Sequence, residues 1–178
     1  MDEEGSVRAA TGSRNMKKSI KNKEELIKAV KYVATETSRL AEKIVGKTFP
    51  ITSLTVFAHS QSEYELLIRI LAEMGKPYNY NNGPRVELYE PIEVENNHIT
   101  HLRIRKSDPE RPQVGCNDFK TNYETFKVEY LLKHPDNLRF VKRSEYEMIE
   151  FYDVKFDVLA YVVSDPWTQK NKKIKYDR

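Results

Sequence analysis

The sequence predicts an α+β fold in which the order strand, helix, strand, strand, strand occurs twice behind one amphipathic helix. Three observations carry this. Apolar residues repeat at helical spacing from Lys23 to Val45. A β-branched and aromatic run, Ile51 to Ala58, then passes straight into a second helical pattern. Finally, the segment Ser107 to Gly115, with turn formers at Pro109, Pro112 and Gly115, divides the chain into halves of similar arrangement.

In the first helix, Leu26, Val30, Val33, Leu40 and Ile44 form the apolar stripe, with Ile27 and Ala41 beside them, and Gly46 stops it. After Pro50 the run to Ala58 is a buried strand that ends at His59. Ser60 and Glu63 have capping-box spacing, so a new helix starts there, with Leu67, Ile68 and Leu71 as its apolar face and Gly75 as its stop. Tyr78 to Asn82 lead through the turn Asn82-Gly83-Pro84 into Arg85 to Val94, where Val86, Leu88, Ile92 and Val94 share a face and Pro91 marks an edge or bulged strand. Ile99 to Lys106 is a third strand.

Beyond the linker, Cys116 to Thr121 reads as a short strand and Tyr123 to His134 as a helix, through Phe126, Tyr130 and Leu131, stopped before Pro135. Strand spacing competes there, because Phe126, Val128, Tyr130 and Leu132 also alternate. Leu138 to Arg143, Tyr146 to Tyr152 and Val154 to Ser164 are three further strands. The expected organisation is a flexible tail over 1–22, one domain over 23–166 with halves of about 51–106 and 115–164, and a basic tail over 167–178. Met16, followed by two lysines, looks like a natural start, with the preceding 15 residues as an extension.

Composition removes several function classes. With 39% hydrophobic and 32% charged residues, the chain is globular rather than disordered. The formal charge of +3 is too mild to announce a nucleic-acid partner, and Lys170, Lys172, Lys173 and Lys175 come without a stacking motif. No apolar run reaches the roughly 18 residues of a membrane span. One cysteine, Cys116, excludes an intrachain disulfide and a paired-cysteine zinc site, which points to a cytoplasmic chain. Nothing forms a P-loop, a dinucleotide fingerprint, a nucleophile elbow or an HExxH site.

The stretch from Glu24 to about Phe119 carries Ile51-Thr52-Ser53-Leu54-Thr55, Asn82-Gly83-Pro84-Arg85 and Glu90-Pro91-Ile92-Glu93-Val94, and it resembles the YecM-like branch of the vicinal-oxygen-chelate superfamily. The resemblance implies tandem βαβββ modules that form a curved half-barrel sheet around a pocket. It also implies one divalent metal ion held by His and Glu side chains from four strands, a mixed ligation that suits hard or borderline metals. Transferred to this chain, it places ligands at His59, at Asp118 as a carboxylate substitute, and at Glu150 on a late strand. The remaining ligand falls near Arg105, whose guanidinium cannot ligate metal, so the implied metal site is altered or lost.

The residues themselves suggest a ligand-binding set. Glu90 shares the alternation face of Val86, Leu88, Ile92 and Val94. As an inward carboxylate it needs Arg103 or Arg105 as partner, unless Pro91 bulges it out to water. His101, Arg103 and Arg105 project together, with Leu102 and Ile104 on the opposite face. Lining a pocket, they would favour a carboxylate or phosphate, with His101 titrating near neutrality; facing water, they are an ordinary charged surface. Three readings stand: a pocket protein for a small anionic molecule; a metal-dependent lyase, isomerase or dioxygenase using His59, Asp118 and Glu150; and an interaction module whose basic strand binds an anionic partner.

Overall fold

A computed structural model describes residues 19–78, 84–106 and 112–164. Helix α1 (Lys23–Val45) starts at Asn22, whose side chain accepts the Glu25 N–H. It ends at Gly46, left-handed at φ 71°, whose N–H donates to the Glu42 carbonyl. Then come β1 (Ile51–Phe57), α2 (Gln61–Met74), β2 (Gly75–Pro77), β3 (Arg85–Val94) and β4 (Asn97–Arg105). The second part runs β5 (Gly115–Phe119), α3 (Tyr123–Tyr130), a 3-10 turn (Leu131–Lys133), β6 (Leu138–Lys142), β7 (Glu147–Phe151) and β8 (Val158–Val163).

The strands form one eight-stranded mixed sheet in the order β2-β3-β4-β1-β5-β8-β7-β6. Its centre is the antiparallel pair β1 and β5; β4 runs parallel to β1, and β8 runs parallel to β5. The helices share one face. Leu26, Val30 and Val33 of α1 and Leu67 and Leu71 of α2 pack with Leu54, Val56, Leu102, Ile104 and Ala160 of the sheet in one buried core. Each such leucine, isoleucine or valine contributes about 1.5–3 kcal/mol by leaving water. At Gly115 a Cβ would stand 2.3 Å from the Thr55 carbonyl oxygen and 2.9 Å from Val33 Cγ2, so α1 can approach β5 there only over glycine.

Several boundaries differ from the sequence expectation. Gly75 stops α2 as expected, and in extended backbone it also begins β2, a short strand the pattern did not show. The linker ends one residue early, because Gly115 already pairs in β5. Helix α3 stops at Tyr130 and tightens into the 3-10 turn before Pro135. Strand β8 starts at Val158 rather than Val154. Asp153 takes the intervening residues into a turn, its Oδ1 accepting the Lys155 N–H and its carbonyl accepting the Phe156 N–H. Residues 19–22 are not a free tail, since buried Ile20 donates its N–H to Glu63 at 3.2 Å. Asn82-Gly83 in the expected turn, residues 107–111 of the linker, and 1–18 and 165–178 in the tails lie outside the described residues.

Candidate anion-binding site

Alternation along the central strands fixes what the other face of the sheet carries. Leu54, Val56, Leu102 and Ile104 point to the helices, so Thr55, Phe57, His101, Arg103 and Arg105 project from the opposite face. Cross-strand register then aligns Arg85, Arg103, Thr55, Cys116 and Leu159 in one row across β3, β4, β1, β5 and β8. A neighbouring row holds Glu87, His101 and Ser53 on one side, and Asp118, Tyr161, Glu150 and Arg139 on the other.

Charge is concentrated at the β3 and β4 end. Arg85 is only 7% exposed, and Arg103 stands directly beside it, its Nε donating to Thr55 Oγ1 at 3.1 Å. Burial, reinforced by Arg103 and opposed by Asp118, pushes the Arg85 guanidinium down to about 10. Desolvation pushes the Asp118 carboxyl above the usual carboxylate range, against the pull of Arg103 and Arg85. Arg105 lies 5.7 Å over the Phe57 ring. His101 meets the Tyr78 ring edge-on at 4.9 Å, and its burial lowers its pKa, which favours neutral imidazole at pH 7.

The β5 and β8 side of the same face is apolar. Phe57, Cys116, Leu159 and Tyr161 form a second buried cluster, with partly buried Met148, Tyr152 and Val163 against it. Burial pushes the Cys116 thiol up to about 11, so it is a protonated, unreactive group at neutral pH.

The sequence candidates therefore separate. Arg103, Arg105, His101 and Asp118 share one face, with Arg103 as the cation that bears most on the Asp118 carboxyl. Glu90 does not join them: the β3–β4 register shifts between Glu87 and Ile92, and within this irregular stretch Glu90 is exposed. His59 and Asp118 also part company. Because β1 and β5 are antiparallel, the end of β1 lies beside the start of β5, and His59 Nε2 sits 3.1 Å from the Gln113 carbonyl, about five residues up β5 from Asp118. Glu150 shares a row with Asp118 but stands two strands away, with Arg139 at 3.8 Å. Among the described residues no three His, Cys, Asp or Glu side chains group as a metal site.

No protein-family model matches this chain, and no curated protein matches it significantly. A solved structure named only as "Structural Genomics, Protein EC4020" matches with a TM-score of 0.57 and 14% sequence identity, over 83% of this chain and 88% of that one. That likeness shows a shared fold. No helix among the described residues is long and apolar enough to cross a membrane.

Sequence reading missed Arg85 and Thr55. Arg85 stood only as the first residue of the strand to Val94, although its alternation with Val86 already set it on the face of Glu87. The charges that act on it, Arg103 and Asp118, lie in other strands, and no local signal carries that pairing.

Proposed function

We propose that this chain binds a small anionic molecule on the sheet face opposite the helices, in a vicinal-oxygen-chelate scaffold of two βαβββ modules that has given up the metal position. The carrying observation is the direct cross-strand pair of Arg85 and Arg103. Like charges placed opposite one another destabilise a sheet, and one of these is almost fully buried. Asp118 offsets part of that charge, and Arg105 adds to it on the same face. An incoming carboxylate or phosphate accepts hydrogen bonds from guanidinium donors, whose planar fork suits such groups.

The two-module reading draws support from the strand order. Outward from β1 lie β4, β3 and β2, and outward from β5 lie β8, β7 and β6, with a helix after each central strand. A resident divalent cation does not fit the residues. Asp118 is flanked by two guanidiniums, His59 lies at the far end of the central pair, and Glu150 faces Arg139. A +2 ion about 4 Å from one guanidinium meets a repulsion of roughly 8 kcal/mol at an effective dielectric near 20.

Calorimetric titration with inorganic phosphate and with acetate, followed by zinc and manganese, tests this. Anion binding that falls at least tenfold in Arg103→Gln is expected. Tight metal binding, or anion binding indifferent to Arg103→Gln, overturns the proposal.

A further inference from the structure

We infer that the cleft between α1 and β3 takes a small zwitterion with an apolar body, of which a hydrophobic dipeptide is the plainest example. The cleft lies on the helix side of the sheet and shares no residue with the anion site. Its volume is about 400 Å³, which falls among small-molecule pockets. A dipeptide fits that space.

Along one wall β3 departs from its partner. Between the pair of Glu87 with His101 and the pair of Ile92 with Ile99, β3 uses five residues where β4 uses two, so the ladder is irregular there and Tyr89, Glu90 and Pro91 are exposed. Glu90, which the anion site leaves out, belongs to this wall. Opposite it α1 presents Lys23, Ile27 and Lys31, spaced four residues apart on one stripe, and the end of α2 closes a third side with Glu73 and Met74.

Charge is sorted by wall. The ammonium groups of Lys23 and Lys31 stand on α1, and the carboxylates of Glu73, Glu90 and Glu93 stand on α2 and β3. His98 engages Glu93, whereas Lys23, Lys31, Glu73 and Glu90 make no ion pair among the described residues. Two ammoniums therefore face two carboxylates across a gap without meeting, and the matching ligand is neutral overall but carries both signs. Its carboxylate suits the lysines and its ammonium suits Glu73 and Glu90, and neither contact first requires an existing pair to break. The body has its own surface to cover. Tyr89 is 68% exposed, a large ring beside the partly buried Ile27 and buried Met74 of the same cleft.

The test is titration calorimetry of the full chain with leucyl-phenylalanine, its N-acetyl form, its C-terminal amide and glycyl-glycine. The free hydrophobic dipeptide should bind, and each of the other three about tenfold more weakly. Glu90→Gln should weaken the free dipeptide and the amide but leave the N-acetyl form unchanged; Lys31→Gln should weaken the free dipeptide and the N-acetyl form but leave the amide unchanged. Both positions are exposed, so the variants retain the fold. Absence of dipeptide binding, or blocked forms that bind as tightly as the free one, overturns the inference. Phosphate titration of Arg103→Gln reads the anion site alone, so the two readings fail separately.

Discussion

Arg85 on β3 and Arg103 on β4 are direct cross-strand partners, and the carboxylate that both act upon, Asp118, is held two strands beyond Arg103 on β5. The arrangement makes Asp118 a titrating group with a definite sign. Burial raises its carboxyl pKa, so the folded chain holds that proton more tightly than the unfolded one. Its contribution to stability is therefore greatest at low pH and is lost as pH rises through the raised value. Urea denaturation of the native protein and Asp118→Asn across the acid range should show the native protein gaining on the variant as pH falls. A pH-independent difference would contradict the burial argument.

Glu63 ties three pieces of chain together. Its carboxylate accepts the N–H of Ile20 at 3.2 Å and that of His59 at 3.1 Å, and its own N–H donates to Ser60 Oγ. Glu63→Ala leaves both donors without this acceptor at a buried position, and a loss of about 1–3 kcal/mol in chemical denaturation is expected. An unchanged midpoint would mean that neither donor depends on it.

Asn117 carries the opposite defect. It is 2% exposed on the helix side of β5, and neither its Oδ1 nor its Nδ2 has a hydrogen-bond partner among the described residues. Removing an unpaired amide from a core relieves a desolvation cost, so Asn117→Val should gain about 1 kcal/mol. A lower melting temperature would reveal a bonding role for the amide.

Gly115 is fixed by space. A methyl there collides with the Thr55 carbonyl and with Val33, and overpacking of this kind costs about 1–3 kcal/mol, read from the thermal melt of Gly115→Ala.

Cys116 should resist an aromatic disulfide reagent in the native protein at neutral pH and react fully once urea unfolds the chain, since burial holds its thiol near 11. Rapid native labelling would place the thiol in water.

How much of this the sequence disclosed depends on the range of the interactions. The stripe of α1, the Asn22 to Gly46 span and the Ser60–Glu63 cap are local, written within a few residues, and the sequence shows most of them directly. The basic face of His101, Arg103 and Arg105 is equally legible, because alternation needs only one strand. The partnership of Arg103 with Arg85, and the separation of His59 from Asp118, follow from which strands become neighbours and in which direction they run. Pattern within a strand is silent on both. Glu90 departs for a narrower reason: the strand pairing shifts register between Glu87 and Ile92, and within that irregular stretch Glu90 is exposed, the alternative that Pro91 signalled.

The central position of β1 also shapes how the chain is made. Both of its neighbours, β4 and β5, come later in the sequence, so on the ribosome Ile51 to Phe57 emerges with two unsatisfied edges and with only α1 and α2 close by in sequence. Phe119 follows Phe57 by roughly 60 positions, and at about 5–20 residues per second the strand waits for several seconds. During that interval an apolar strand is open to pairing with another nascent chain, and the first half of the molecule depends on its helices, and on any chaperone that covers the free edges, until β5 closes the seam.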